Sequence, residues 1–284
     1  MSGPDGYLIS KYNDMSGSYT CRRLIAEGAA RGMDLRALGV RDTALTAAGP
    51  QSKGEVPCRR GFAILRYKWG KIPAQLSRLA DRSYNEAEAF FRFVNKYEQL
   101  RLLKSPHFEI PEYLLTAGAP CLEETEEALG LPFVAKGLDR SMGEDIFLIE
   151  KEEDLLALRA FGPEKEWLCE RFIAGSRGRD MRVFSIRGEA VAVMERSSDD
   201  DFRANVALGA KTRALDITDW MKGAAADIYA QTGLDVVGID FLYGEEKPYL
   251  CEINVMPGLE GIEQTTGENL AGRIMQMIRE DFEG

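Results

Sequence analysis

Asp240, Glu252 and Asn254 are the residues whose types and spacing point first to chemistry. Two carboxylates and an amide are hard oxygen donors, the kind Mg2+ takes together with phosphate and water oxygens. They fall in two apolar, β-branched runs, Val236 to Tyr243 and Tyr249 to Val255. Between these, Gly244-Glu245-Glu246-Lys247-Pro248 reads as the turn of a hairpin. Glu252 and Asn254 are two apart and so share a strand face. A symmetric turn centred on Glu246 puts Asp240 directly opposite Glu252. Like charges across a ladder repel, and a cation between them removes the repulsion. The competing reading is an exposed hairpin with an acidic outer face. The apolar company of Ile239, Phe241, Cys251 and Ile253 favours strands with a buried face.

Cations suited to phosphate oxygens lie elsewhere in the chain. Lys136 closes the apolar run that starts at Leu131. Its ammonium can serve as a point charge on phosphate or snorkel from a sheet edge. Gly143 permits close backbone approach, so nearby N–H groups could hold a phosphate. Arg182 and Arg203 carry planar forks matched to phosphoryl oxygens. Asp199-Asp200-Asp201 lacks the spaced, turn-closing glycine of a calcium loop and reads as a solvated turn. His107 is the single histidine and has no Cys or His partner for a metal, so it reads as structural. Ala207 to Thr212 lacks the Gly-Lys-Ser/Thr order of a P-loop, and no Gly-x-Gly-x-x-Gly follows a strand. Nucleotide binding here must use isolated cations around a sheet.

Asp240, Glu252-Ile-Asn254 and Pro257-Gly258-Leu-Glu-Gly-Ile-Glu-x-x-Thr-Gly267 together resemble the C-terminal metal-binding segment of the ATP-grasp superfamily. The loop is most similar to the RimK-like branch, typified by the ribosomal-protein S6 glutamate ligase. The resemblance runs from about Lys96 to Ile278, and the helix from Cys21 to Gly32 is similar only in outline. It implies that Asp240, Glu252 and Asn254 hold Mg2+, with two ions expected and Mn2+ an alternative. Lys96 and Lys136 match nucleotide-contacting lysines. Ser141 and Gly143 match the core of a mobile glycine-rich loop, from which Arg140 and Asp145 depart by standing where further glycines are common. Glu170, Arg171, Phe172 and Ile173 match the inter-lobe hinge that receives adenine, and Asp180 the carboxylate that binds ribose hydroxyls. Read alone, Glu170 and Asp180 are surface acids. The Phe202-Arg203-Ala-Asn205 segment implies an arginine on the γ-phosphate and an amide near metal or phosphate, with Arg182 a second candidate for transition-state charge.

The implied activity is ATP-dependent carboxylate–amine ligation through an acylphosphate, with ADP as product. The substrates would be an amino acid such as glutamate, or another carboxylate, and an amine on a peptide, protein or metabolite. The alternatives are a peptide-tailoring ligase or macrocyclase, and an ATP-binding regulatory protein without turnover. Homodimers or homotetramers are the implied assemblies.

The elements that must position these groups mix helix and strand, an α+β (mixed α/β) pattern and not a doubly wound parallel sheet. The implied ATP-grasp fold has a small N-terminal α/β domain over residues 1–90 and an ATP-grasp domain over 91–284. Its central lobe covers about 104–168 and its C-terminal lobe about 169–284, with ATP clamped between. Strands are expected at Tyr7–Ser10, Asp34–Val40, Phe62–Tyr67, Tyr113–Thr116, Phe133–Lys136, Ile146–Ile149 and Trp167–Ile173. A hairpin joins Met181–Ile186 to Ala190–Glu195. Helices are expected at Tyr19–Arg31, through most of Lys71–Glu98, then at Tyr97–Lys104, Glu123–Leu129, Glu152–Phe161, Asp219–Thr232 and Asn269–Glu280. Thr46 to Pro57 reads as loop.

At 284 residues the chain can bury a substantial core. Its 29% charged and 45% hydrophobic residues are ordinary for a globular protein. A net charge of −10 argues against nucleic-acid binding through a basic surface. No apolar run is long enough for a membrane span, and the N-terminus lacks the features of a signal peptide. Cys21, Cys58, Cys121, Cys169 and Cys251 are dispersed, which suits reduced thiols and a cytoplasmic protein.

Overall fold

The structure is a computed structural model that describes residues 3–138, 145–204 and 209–283. Its N-terminal part builds strand β1 (Asp5–Ser10), helix α1 (Tyr19–Ala30), β2 (Asp34–Gly39), β3 (Thr43–Thr46), β4 (Gly49–Ser52), β5 (Arg60–Leu65), helix α2 (Ile72–Ser77) and β6 (Ala80–Tyr84). Four of these strands form a parallel sheet in the order β2-β1-β5-β6. Helix α1 starts where the Ser18 side chain accepts from the Cys21 backbone N–H.

One expectation fails here and another is incomplete. The segment from Thr46 to Pro57 is not all loop, because Gly49–Ser52 pairs with Thr43–Thr46 as the small hairpin β3-β4. Lys71–Glu98 is helical over most of its length, as expected, but not continuously, because a strand interrupts it. Ala80–Tyr84 joins the open edge of β5, and Tyr84 packs edge-on against Phe62 with ring centroids 6.3 Å apart. Partners supplied by the sheet outweigh local helix propensity there. Helix resumes as α3 (Ala87–Phe93) and α4 (Lys96–Leu102), divided at Asn95, whose side chain caps α4 by accepting from the Tyr97 N–H at 2.9 Å.

The middle sheet contains β7 (Tyr113–Ala117), β8 (Phe133–Gly137), β9 (Ile146–Ile149) and β10 (Glu166–Arg171), with α5 (Leu122–Leu129) and the short α6 (Leu155–Arg159) packed on it. Its order is β7-β10-β8-β9, all antiparallel. Phe133, Ala135, Ile149, Leu158, Trp167 and Cys169 give it a core of its own.

The C-terminal sheet contains β11 (Arg179–Ile186), β12 (Glu189–Ser197), β13 (Lys211–Ala214), β14 (Val236–Leu242) and β15 (Tyr249–Asn254), in the antiparallel order β13-β12-β11-β14-β15. Helices α7 (Asp219–Thr232), α8 (Glu260–Thr266) and α9 (Leu270–Glu280) complete the chain. Helix α8 occupies what reads from sequence as loop. It buries Leu259 and Ile262 and stops at Gly267, whose φ of 76° is left-handed. Its apolar face is short, so the flanking glycines and proline mask its helical period. Unlike the middle sheet, this sheet shares its cores with the N-terminal one: Leu8, Phe62 and Tyr84 pack in one cluster with Phe184, Ile274 and Ile278. Mixed helix and strand, mostly antiparallel, is the architecture as a whole.

Candidate active site

The three sheets border a cleft of about 820 Å³. One wall is the cleft-facing side of the C-terminal sheet. Strand pairing sets Arg182 on β11 beside Asp240 on β14, and Asp240 beside Glu252 on β15. Next to this row, Asp180 on β11 faces Arg196 on β12. Five charged side chains therefore share one face because their strands pair in this register.

Asp240 stands opposite Glu252, but not through a symmetric five-residue turn. Leu242 pairs with Tyr249, leaving a six-residue loop from Tyr243 to Pro248, and a β-bulge between the loop and the site restores the pairing. The extra residue is Cys251. Leu250 and Ile253 face the core, whereas Cys251, Glu252 and Asn254 line the cleft. Cys251 is thus not on the buried face, where simple alternation puts it. Asn254 lies across from Gly238, which has no side chain to crowd the site.

Asp240 is clamped by two guanidiniums. Arg182 donates from Nε and Nη2 to its two oxygens, each at 2.7 Å, and Arg196 Nη2 donates to Oδ2 at 2.9 Å. Arg196 also holds Asp180 bidentately at 2.6 and 2.7 Å. Burial alone would raise the Asp240 carboxyl, but Arg182 and Arg196 outweigh it and hold it below the usual range. Glu252 is also lowered: burial opposes, and Lys96, whose Nζ is 3.4 Å away, prevails. Asp180 has one guanidinium, so burial wins and its carboxyl is pushed up to about 6.

The facing wall belongs to the middle sheet. Lys136 Nζ donates to Glu170 Oε2 at 2.8 Å, and both side chains are buried. Burial raises the Glu170 carboxyl despite Lys136, and among the described residues its Oε1 has no hydrogen-bond partner. A buried acceptor left open in a cleft suits a ligand donor such as an exocyclic amine. Lys136 also lies 3.8 Å from the Cys251 sulfur, where the two walls meet. Phe172 and Ile173 follow β10 and line the cleft, as does Arg171, which pairs with Glu112 at 3.2 Å. Arg203 lines the cleft with its guanidinium 2.7 Å from Asp201.

The sequence-derived candidates Lys96, Lys136, Glu170, Arg171, Phe172, Ile173, Asp180, Arg182, Arg203, Asp240, Glu252 and Asn254 all line this one cleft. Ser141, Gly143 and Asn205, with Arg140, lie outside the described residues. Asp145, standing in for a glycine, has a φ of 56° and pairs with Lys165 at 3.2 Å. His107 packs its ring against Gly223 of α7, a structural position.

Arg196, Gln99 and Asn85 are functional neighbours that sequence reading missed. Arg196 was within reach: extending the β11-β12 hairpin by one residue places it opposite Asp180. Gln99 donates to the Ile253 carbonyl at 2.9 Å and accepts its N–H at 2.8 Å, fixing β15 beside Glu252. Asn85 likewise donates to the Val236 and Val255 carbonyls at 2.7 and 2.9 Å. Neither amide carries a local signal, because both act on strands distant in sequence.

As a cation site, Asp240, Glu252 and Asn254 offer ionised or amide oxygens, the donors Mg2+ takes, and leave positions for phosphate and water. Among the described residues no group of three or more His, Cys, Asp or Glu side chains forms a metal site by itself. No helix among the described residues is long and apolar enough to cross a membrane.

A family described as the RimK-like ATP-grasp domain matches residues 94–278. A probable alpha-L-glutamate ligase of Citrobacter koseri is 33% identical over 227 residues, covering 78% of this chain and 74% of that protein. One from Legionella pneumophila is 29% identical over 278 residues, covering 92% and 91%. Among solved structures, a RimK domain ATP-grasp protein from Sphaerobacter thermophilus has a TM-score of 0.68 at 19% identity, covering 95% of this chain and 98% of that one. The macrocyclase MdnC bound with precursor peptide MdnA, from Microcystis aeruginosa, has a TM-score of 0.70 at 12% identity, covering 96% and 98%. These two likenesses concern the fold.

Proposed function

The chain belongs to the RimK-like ATP-grasp family of ligases that form C–N bonds, and on that premise we propose that it joins an amino acid such as glutamate to an amine on a peptide, protein or small molecule. The observation that carries this reading is the row Arg182–Asp240–Glu252, which faces Lys136–Glu170 across one cleft. We take residues 1–90 as the N-terminal domain and 91–284 as the ATP-grasp domain, with ATP between lobes at about 104–168 and 169–284.

In this reading Lys96 and Lys136 offset phosphate charge, and Glu170 with Phe172 and Ile173 receives the adenine. Asp180 accepts from ribose hydroxyls. Asp240, Glu252 and Asn254 would hold Mg2+, two ions in this reading and replaceable by Mn2+, which would supply charge neutralisation at the phosphate oxygens. A substrate carboxylate oxygen attacks the γ-phosphorus and ADP leaves. The amine nitrogen then attacks the acyl carbon, phosphate leaves, and the amine gives its surplus proton to solvent. Arg182 and Arg203 stabilise the charge that builds on the transferring group, with Asn205 beside them. No protein nucleophile is needed, so positioning and charge carry the catalysis.

The test is product analysis with Mg-ATP, pooled amino acids and amines, followed by mass spectrometry. ADP and phosphate beside a condensed product are expected. AMP and pyrophosphate would replace the acylphosphate route with adenylation. A condensed product whose acid and amine come from one peptide would make the protein a tailoring enzyme.

A further inference from the structure

The N-terminal sheet also reaches the cleft, through its strand ends. In the order β2-β1-β5-β6, the chain leaves β1 on one side for β2 and leaves β5 on the other for β6. The carboxyl ends of β1 and β5 therefore flank a topological switch point, where open parallel sheets take ligands. Lys11 follows β1, Arg41 follows β2, and Tyr67, Lys68 and Trp69 follow β5 at Arg66. All of them line the cleft that contains Asp240 and Glu252.

These residues form one continuous ledge. The Arg41 backbone N–H donates to the Lys11 carbonyl at 3.0 Å. Lys11 and Arg41 both sit over the Tyr12 ring, at 5.3 and 5.9 Å from its centroid. The Tyr67 and Trp69 rings are 6.2 Å apart, and the Lys68 ammonium lies 4.4 Å over Trp69. Arg66 ties the ledge to the metal-site loop by donating to the Pro257 carbonyl at 2.9 Å. Among the described residues no carboxylate is within ion-pair distance of Lys11, Arg41 or Lys68, whereas Arg182 and Arg196 are held by acids. In a chain of net charge −10, three cations without acids at one cleft lip build a local field for an anion.

Resting on the ligase reading above, we propose that this ledge binds a second anionic group of the carboxylate substrate, so that Lys11, Arg41 and Lys68 select acidic substrates. One carboxyl group meets the phosphates for activation, and the other is held at the switch point. The three cations are specificity-determining residues; Lys11 and Arg41 stand apart from the nucleotide lysines, and Lys68 borders Lys96 and Glu252. The anionic group can come from a free acidic amino acid or from the acidic C-terminal residue of a peptide.

The full chain, loaded with Mg2+ and the non-hydrolysable analogue AMPPNP, is titrated calorimetrically with glutamate, glutamine, acetyl-Ala-Ala-Glu and acetyl-Ala-Ala-Gln. An acidic ligand should bind about tenfold tighter than its amide counterpart, the scale of one charge-assisted hydrogen bond. The pair that shows the preference names the source. Arg41→Met and Lys11→Met should each remove most of the preference, Lys11→Arg should retain it, and AMPPNP affinity should hold in all three. Equal affinity for acid and amide in the unaltered protein overturns the proposal. So does a preference that survives both methionine variants, or a loss that falls on AMPPNP instead. The titration requires no turnover. Absence of ADP release with every carboxylate would defeat the ligase reading, while the ledge is judged by the titration alone.

Discussion

The two walls of the cleft handle buried carboxylates differently. On the C-terminal wall, Asp240 touches two guanidiniums and its carboxyl is lowered. Asp180, one strand away, has one guanidinium and is raised to about 6. On the middle-sheet wall Glu170 has a single ammonium and is also raised, with one oxygen open. All three are buried. Burial therefore does not decide the protonation state by itself; the balance of neighbouring charges does, since Glu252, paired with Lys96 alone, is also lowered, while Asp180 feels the repulsion of Asp240. In the proposed reading, the two acids that would hold a metal are the lowered ones, and the two that would meet adenine and ribose are the raised ones.

The largest expected effect comes from breaking the doubly clamped acid. Asp240→Asn and Glu252→Gln should each lower kcat on the order of a hundred- to a thousandfold, the scale for removing one charge-stabilising group. A circular-dichroism spectrum like that of the unaltered protein should accompany each loss. Normal turnover in either variant would remove the metal assignment.

Breaking the single pair should cost less. Lys136→Met leaves Glu170 buried without its cation, a change worth about 3 kcal/mol of stability at the low end for buried pairs, because the carboxyl can take up a proton. Thermal unfolding would read that loss. Adding Glu170→Gln should recover much of the stability but not the nucleotide affinity, which a titration with ADP would show. Recovery of both would make the pair purely structural.

The smallest effect sharpens the contrast within one wall. Asp180 is an acid raised in the folded state, from about 3.8 to about 6. Between these values the folded protein keeps a proton that the unfolded chain releases, so this group's contribution to stability falls as pH rises and is lowest above pH 6. Asp180→Asn carries no such slope. Its melting temperature relative to the unaltered protein should therefore rise between pH 4 and pH 7 by a few degrees. A flat difference would mean that Arg196 already offsets the burial of Asp180.

Much of the site is legible in the sequence because strand alternation and short hairpins are local. Glu252 and Asn254 share a face by count, and Lys136 ends an apolar run. What escapes is set by distant partners. β6 is a strand because β5 has an open edge, and Tyr84 is held by Phe62. Gln99 and Asn85 matter because they grip strands more than a hundred residues away. Arg196 was lost by one residue of strand length. Asp240 meets Glu252 because two departures from a plain hairpin cancel, a loop one residue longer than five and a bulge at Cys251.

That bulge has a consequence for how much a strand can show. A regular strand displays every second residue on a given side, yet β15 turns residues 251, 252 and 254 toward the cleft. The surplus position is filled by a thiol, whose proton is firmly kept because burial pushes its pKa up to about 12. It meets the Lys136 ammonium coming from the opposite sheet. Cys251 is thus a spacer: the gap between the sheet that carries the acids and the sheet that carries the lysine is one small, uncharged side chain wide.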